Sequence, residues 1–102
     1  MQMIVLLLTC ANEKEADKIA NTLLKEKLIV CAKKLPVSSS FLWEKKIKSS
    51  EEILLIMDSV AENFEKINSE VKKLHSYKTF VLTSLLVNQT TKDVENWAKK
   101  EL

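Results

Sequence analysis

The sequence predicts an α+β fold, on three observations. Apolar segments of strand length alternate with stretches in which apolar residues recur every three or four positions, as on one face of a helix. The elements follow in the order βαββαβ with a further C-terminal helix, which favours a ferredoxin-like sandwich with one antiparallel sheet. With 102 residues there is room for one domain, so we expect residues 1–102 to form a single ferredoxin-like domain.

The first strand is predicted over residues 3–8, which are all apolar, as in a central strand covered on both faces or one buried in a subunit contact. Asn12 and Glu15 form a capping pair that opens the first helix, which we expect to end near Lys27. The apolar stripe of this helix consists of Ala16, Ile19, Ala20, Leu23 and Leu24.

A second strand is predicted over residues 28–35, because Pro36, the only proline, removes a backbone donor and is followed by three serines. Strand structure is expected to resume at residues 41–43. The third strand is predicted over residues 52–57, which again are largely apolar. These segments make up the second and third strands of the βαββαβ order.

The second helix is predicted to open at a capping box formed by Ser59 and Glu62. Its apolar stripe is Val60, Phe64, Ile67, Val71 and Leu74. The fourth strand follows and ends near Val87. Thr90 or Thr91 can cap the C-terminal helix, whose apolar face is Val94, Trp97, Ala98 and Leu102.

One face of the predicted sheet has no helix to cover it, yet it cannot be polar. Apolar side chains occupy both odd and even positions in three of the strand segments, so they point to both faces of the sheet. The segments are residues 3–8, 53–57 and 80–87. A bare apolar face of this size needs a cover, and another copy of the chain would supply one. The sequence therefore predicts self-association.

Composition excludes several classes of function. There is no glycine, so no glycine-rich loop can hold a phosphate, and positions with positive φ must be filled by asparagine, aspartate or strained residues. All 16 basic residues are lysine and the net charge is only +2, which does not favour a nucleic-acid partner. No apolar run approaches the roughly 18 residues of a membrane span.

Localisation is expected to be cytoplasmic. Residues 1–9 lack a basic leader and a small-residue cleavage pattern, so they are interpreted as a strand and not as a signal peptide. Cys10 and Cys31 both fall in apolar, strand-like surroundings, and we expect them to be free thiols.

Several landmarks occur in a specific order and spacing: Leu28-Ile29-Val30-Cys31-Ala32, Phe41-Leu42-Trp43-Glu44, Glu52-Ile53-Leu54-Leu55-Ile56, Leu74-His75-Ser76-Tyr77 and Trp97. In this respect the chain resembles the CutA divalent-ion-tolerance family from Ile4 to Leu102. The resemblance implies a ferredoxin-like fold in a tight homotrimer, a bacterial cytoplasmic setting and a role in tolerance of copper and other divalent cations. It implies no enzymatic activity.

The chain departs from the family pattern at several places, among them the following three. Lys45 stands where the family has the glycine of Trp-Glu-Gly, Ser76 stands where it has the proline of His-Pro-Tyr, and Val81 replaces the glutamate of Pro-Glu-Ile. The loss of this glutamate removes a carboxylate from any metal site. The resemblance therefore implies modest metal affinity for this member.

Cys31 and His75 are the predicted metal ligands, since thiolate and imidazole suit copper or zinc. Glu44 or Glu52 could add oxygen ligands. Two strong donors are too few for a closed site, so neighbouring copies would have to contribute. The alternative is that Cys31 is a small buried apolar residue and that His75 interacts with the C-terminal dipole of its helix.

Four aromatic residues are predicted to lie at subunit interfaces: Phe41, Trp43, Tyr77 and Trp97. Aromatic side chains dominate interface energetics, so Phe41 and Trp43 are expected to pack against a neighbouring copy. The alternative for Phe41 and Trp43 is that they stack on a planar ligand. The alternative for Tyr77 is a structural hydrogen bond, and for Trp97 it is ordinary packing within the chain.

An alternative function is that of a trimeric signalling protein similar to the PII regulators, with a small anionic ligand in clefts between subunits. Its basic loop would consist of Lys33, Lys34, Lys45, Lys46 and Lys48, which could equally be a solvated edge. Catalysis is not expected. Ser76 adjoins His75, but adjacent residues at a turn seldom direct both side chains to one point, and no acid is placed to orient the imidazole.

Overall fold

The computed structural model describes residues 1–102 as a four-stranded antiparallel sheet with three α-helices. The strands are β1 (Met3–Cys10), β2 (Cys31–Trp43), β3 (Lys46–Val60) and β4 (Leu82–Leu86), and the helices are α1 (Glu13–Lys25), α2 (Phe64–Leu74) and α3 (Lys92–Glu101). The strand order is β2-β3-β1-β4, with antiparallel pairing throughout. The predicted ferredoxin-like α+β fold with an added C-terminal helix is confirmed. None of the helices is both long and apolar enough to cross a membrane.

The main core lies between one face of the sheet and the helices α1 and α2. On β1 the alternate residues Ile4, Leu6 and Leu8 are fully buried, because β1 is a central strand with helices above it. The residues that pack with them are Cys10, Ala16, Ile19, Ala20, Leu23, Leu28, Ile29, Leu55, Met57, Ile67 and Val71. The apolar stripes predicted for the two helices thus supply the upper layer of this core, with two exceptions. Leu24 is exposed, and Val60 lies in β3 and packs in a second cluster.

The opposite face of the sheet is covered only at one end. Met3, Val30 and Val60 form a second, smaller cluster there with Ala98 of α3. Farther along this face Leu35 and Leu85 are exposed. The prediction of an apolar sheet face that the chain does not cover by itself is confirmed over this part of the sheet.

The β2–β3 hairpin is much longer than the sequence predicts. Pairing runs without interruption from Cys31 opposite Asp58 to Trp43 opposite Lys46, through Pro36 and the serines. Termination at Pro36 was the wrong prediction, because β2 is an edge strand, where a missing backbone donor breaks no ladder bond. The hairpin projects beyond the last residue of β1, which makes the chain elongated, with principal extents of 45 × 26 × 22 Å.

The predicted capping box at Ser59 is also wrong. Ser59 lies inside β3, and its hydroxyl donates a 2.5 Å hydrogen bond to the carbonyl of Leu28. A 3-10 turn over Ala61–Asn63 follows, and α2 begins only at Phe64, without a side-chain cap. Ser59 therefore fixes the α1–β2 connection to β3 and does not start the helix.

The helix start predicted at Asn12 is confirmed, since its Oδ1 accepts a 2.9 Å hydrogen bond from the backbone N–H of Glu15. Positive φ angles occur at Lys27, Glu44 and Lys45, none of them an asparagine or aspartate. Glu44 and Lys45 form the two-residue loop of the β2–β3 hairpin, where left-handed backbone at both positions matches the strand twist.

Candidate functional site

The C-terminal end of β1 meets the start of α1, the end of α2 and the middle of β3. Five polar or titratable side chains come together around this junction: Cys10, Glu15, Glu52, His75 and Tyr77. The helix cap at Asn12 turns the chain so that Glu15, in the first turn of α1, reaches back toward the strand. His75 is the C-cap residue of α2, directly after Leu74.

The imidazole of His75 is fully buried and bonded at both nitrogens. Its Nε2 lies 2.8 Å from the carbonyl oxygen of Thr9, and its Nδ1 accepts a 3.0 Å hydrogen bond from the backbone N–H of Tyr77. A carbonyl only accepts, so Nε2 carries the proton while Nδ1 keeps its lone pair for Tyr77. This arrangement selects one tautomer of the neutral ring.

Both carboxylate oxygens of Glu15 are bonded as well. Oε2 accepts a hydrogen bond of 2.8 Å from the N–H of Ala11, and Oε1 accepts one of 2.6 Å from the N–H of Ser76. Burial by itself raises the pKa of Glu15, but the hydrogen bonds from Ala11 and Ser76 outweigh it and hold the pKa below its usual 4.5. Glu15 thus links α1 to the segment after α2 as a carboxylate.

Cys10 is buried beneath this junction. Burial, followed by the nearby negative charges of Glu15 and Glu52, raises the pKa of its thiol from 9.0 to about 12. The raised pKa keeps Cys10 a neutral thiol at physiological pH, and a neutral thiol is a poor nucleophile.

The ligand atoms of Cys10, Glu15 and His75 lie within 4.8 Å of one another, which is the spacing of a metal site. The state of these donors does not fit a metal ion. The two imidazole nitrogens are bonded to Thr9 and Tyr77, so His75 offers no free donor, and backbone N–H groups hold both oxygens of the Glu15 carboxylate. We interpret the cluster as a structural junction that ties three elements together.

The three predicted metal ligands are not brought together within one chain. Cys31 begins β2 opposite Asp58, which itself pairs with Val5, whereas His75 contacts Thr9. Val5 and Thr9 are four residues apart on β1, or about 13 Å. Glu44 lies farther away, in the exposed loop of the hairpin.

Tyr77 connects the junction to an open groove. Its hydroxyl donates a 2.6 Å hydrogen bond to Oε2 of Glu52, whose residue is only 8% exposed. Burial, with the adjacent Glu52 carboxylate as the next cause, raises the pKa of Tyr77 from 10.0 to about 12. The ring of Phe80 stacks on His75 with centroids 5.2 Å apart, and the ring of Tyr77 makes a tilted contact with centroids 4.9 Å apart, so the segment after α2 packs against the imidazole.

The groove has a volume of about 610 Å³ and lies between the projecting part of the hairpin and the segment that follows α2. Its lining is Thr9, Ser39, Phe41, Leu42, Trp43, Lys48, Glu52, Tyr77, Lys78, Thr79 and Val81. Three of the four predicted interface aromatics, Phe41, Trp43 and Tyr77, thus share one surface. Trp97 lies elsewhere, in a smaller depression with Leu24 and Ile29.

The lysines of the predicted basic loop fall into two groups. Lys33 pairs with Asp58 at 3.5 Å, and Lys34 pairs with Asp17 at 2.5 Å. Lys45, Lys46 and Lys48 form no ion pair within the chain. Only this second group, around the hairpin loop, is left to interact with an anion.

Sequence reasoning singled out His75 and Tyr77 and offered Glu52 as a possible oxygen ligand, but it missed Cys10 and Glu15 as neighbours of His75. The capping pair at Asn12 was the one available signal for Glu15, because a carboxylate in the first helical turn points back toward the preceding strand. Nothing in the local pattern relates residue 52 to residue 77. Their contact depends on how the hairpin crosses the sheet.

Comparison with known proteins gives a consistent result. A family model described as CutA1 divalent ion tolerance protein matches residues 4–101. The divalent-cation tolerance protein CutA of Archaeoglobus fulgidus is 33% identical over 90 residues, 88% of each chain. A structure described as the periplasmic divalent cation tolerance protein CutA from this organism superposes with a TM-score of 0.95 at 30% identity over 97% of both chains. The corresponding Thermus thermophilus structure gives a TM-score of 0.94 at 26% identity over 97% of both chains.

Proposed function

Since this chain belongs to the CutA1 divalent ion tolerance family, we propose that it acts in divalent-cation tolerance as a non-catalytic homotrimer. The observation that carries this proposal is the distribution of exposed apolar side chains. They concentrate on the projecting hairpin and on the edge strand β4. A surface of this kind is typical of an interface between subunits.

Three aliphatic residues are the most exposed of this surface. Ile47 is 81% exposed, and Leu42 and Leu86 are each 74% exposed. Leu42 and Ile47 face each other across the hairpin, and Leu86 ends the edge strand β4. Because β2 and β4 are the two free edges of the sheet, pairing of one edge with the other edge of the next copy can close a ring.

A matched pair of leucine substitutions tests the location of the interface. We expect Leu42→Ser to shift the subunit equilibrium toward monomer, and Leu24→Ser, on the exposed side of α1, to leave it unchanged. Trp43→Ala should weaken assembly by about 2 kcal/mol or more if Trp43 is an anchor residue. If Leu42→Ser and wild type show the same sedimentation coefficient at every concentration of a dilution series, the interface does not include Leu42.

Copper is the cation we propose for this member, with modest affinity. Cys31 supplies the soft donor, and Glu44 an oxygen donor, but their separation within a chain requires ligands from neighbouring copies. His75 was the second predicted ligand, and it can coordinate an ion only by giving up its bond to Thr9 or to Tyr77. The cation is bound here as cargo and takes part in no reaction.

Titration with Cu(I) of wild type, Cys31→Ser and His75→Ala separates these donors. We expect Cys31→Ser to lower the affinity at least tenfold and His75→Ala to change it by less than about twofold, since the imidazole is already bonded. Identical isotherms for wild type and Cys31→Ser would contradict the assignment of the thiol.

The absence of catalysis is supported by the state of His75. A general base needs a free lone pair near its nucleophile, and the one lone pair of this imidazole is bonded to the N–H of Tyr77. Ser76 therefore has no base to activate it. Purified protein should show no turnover of generic ester, phosphate or peptide substrates; turnover that disappears in Ser76→Ala would contradict the proposal.

We propose a cytoplasmic location, with no nucleic-acid or membrane partner. Both cysteines are free thiols, as the sequence predicts, and Cys10 is buried while Cys31 is partly exposed. An accessible thiol is maintained most easily in a reducing compartment. Cell fractionation against periplasmic and cytoplasmic marker proteins tests this, and recovery with the periplasmic marker would contradict it.

A further inference from the structure

We propose that the depression between the last turns of α1 and α3 binds a small zwitterion, a free α-amino acid with an apolar side chain. This α1–α3 depression is lined by Leu24, Lys27, Ile29, Val30, Trp97 and Glu101. Such a role goes beyond cation tolerance and requires no bound metal. Three features carry the proposal: the place of the depression in the fold, its apolar lining and the two opposite charges beside it.

The α1–α3 depression lies outside the surface proposed to join copies of the chain. That surface consists of the projecting end of the hairpin and of β4. Val30 directly precedes β2, whereas the hairpin loop follows Trp43, so the 13 residues of β2 separate the two places by about 40 Å. Leu24, on the exposed side of α1, is the residue whose substitution is expected to leave assembly unchanged. Ligand binding and assembly can therefore be tested separately.

The depression is largely apolar and has the size of a small-molecule site. Ile29 and Val30 are buried and supply its inner surface, while Leu24 and Trp97 are 38% and 43% exposed. Its volume of about 300 Å³ lies at the lower end of the roughly 300–1,000 Å³ that such sites span. This volume suits a ligand the size of one amino acid, whose apolar side chain would pack against the indole ring.

One cationic and one anionic side chain line the depression. They are Lys27 and Glu101, and neither forms an ion pair within the chain. A ligand with a carboxylate and an ammonium group would give each of them a partner. A simple anion would be repelled by Glu101, and a simple cation would be repelled by Lys27. The lining therefore favours a zwitterion over either ion.

The backbone fixes both charged residues at helix C-termini. Lys27 follows α1 with a φ of 58°, and its N–H donates a 3.0 Å hydrogen bond to the carbonyl of Leu24. The N–H of Leu28 donates one of 2.9 Å to the carbonyl of Leu23, which completes a Schellman cap. Glu101 is the last residue of α3. Helix C-termini carry partial negative charge, which adds to the attraction of Glu101 for a ligand ammonium group.

Three forms of one ligand test the proposal in isothermal titration calorimetry of the wild-type protein. L-Leucine carries both charges, N-acetyl-L-leucine only the carboxylate, and L-leucinamide only the ammonium group. We expect L-leucine to bind about fivefold or more tightly than either derivative, since each derivative leaves one charged side chain without a partner. Equal affinity for the three ligands would overturn the proposal. So would the absence of L-leucine binding up to its solubility limit, the result expected if a second copy covers Trp97.

Two substitutions assign each charge of the ligand to its partner. Lys27→Gln protein should bind L-leucine and L-leucinamide about equally, but should still prefer L-leucine to N-acetyl-L-leucine. Glu101→Gln protein should show the converse pattern. Lys100→Gln, also in the last turn of α3, is the control and should keep both preferences of the wild type. If Lys27→Gln and Glu101→Gln protein also keep both preferences, L-leucine binds elsewhere and the proposal is wrong.

Discussion

The Nε2 of His75 lies 2.8 Å from the carbonyl oxygen of Thr9, so the residue that directly follows α2 is bonded to the next-to-last residue of β1. The same imidazole accepts the N–H of Tyr77, which places the tyrosine beside Glu52. One buried side chain thus connects the core of the domain to a wall of the groove. Its role follows from hydrogen bonding and requires no metal.

His75→Ala should lower the free energy of unfolding by about 2–3 kcal/mol, since it removes two hydrogen bonds and leaves the carbonyl of Thr9 and the N–H of Tyr77 without partners. Urea denaturation at one fixed protein concentration measures this. Lys72→Ala, on the exposed side of α2, is the control and should cost less than about 0.5 kcal/mol. A similarly small cost for His75→Ala would show that the junction is not a stabilising one.

Tyr77 is the only tyrosine, so its ionisation can be followed directly by absorbance near 295 nm. In the folded protein we expect a midpoint at about 12, against 10.0 for the unfolded chain. Because the folded pKa is the higher one, the stabilisation linked to this group is complete below about pH 10 and is lost as pH rises toward 12. A midpoint near 10 while circular dichroism still reports a folded protein would contradict the burial of the phenol against Glu52.

Cys10 should resist thiol reagents in the native protein, because burial keeps it out of reach and raises its pKa to about 12. In Cys31→Ser protein, where Cys10 is the only thiol, we expect no modification by iodoacetamide at pH 8 and complete modification in urea. Mass spectrometry counts the added groups. Rapid modification of native Cys31→Ser protein would mean that the end of β1 is open to solvent.

Lys45→Gly should stabilise the hairpin. Lys45 has a φ of 65°, a left-handed conformation that is unfavourable for a residue with a Cβ and that glycine adopts freely. The greater conformational freedom of glycine in the unfolded chain partly offsets this stabilisation. We therefore expect the free energy of unfolding to increase by about 0.5–1 kcal/mol. Lys46→Gly, at the first residue of β3, is the matched control and should destabilise instead. A loss of stability in both variants would contradict the strain at position 45.

The order of the elements could be predicted from the sequence because strand and helix periods differ clearly in this chain. The length of the hairpin could not be, because serine and proline are poor strand formers and only the edge position of β2 makes them acceptable. The error at Ser59 has a related cause. A serine followed by a glutamate three residues later looks the same whether it caps a helix or, as here, binds a distant carbonyl.

The candidate site was only partly predictable for a different reason. His75 and Tyr77 stand out because the chain has one of each. Their partners Thr9, Glu15 and Glu52 are distant in sequence, and their contacts arise only when α1, α2 and β3 pack around the end of β1. The prediction of Cys31 and His75 as a ligand pair had no such geometric information, and within one chain they lie far apart.

We propose that the exposed apolar side chains of the hairpin and β4 join copies of the chain into a homotrimer. Sedimentation equilibrium at micromolar concentration measures the mass of the assembly. Three chains of 11.7 kDa give about 35 kDa, and we expect this mass to persist on dilution of wild type while Leu42→Ser dissociates. A single species of 11.7 kDa for the wild type would contradict the claim.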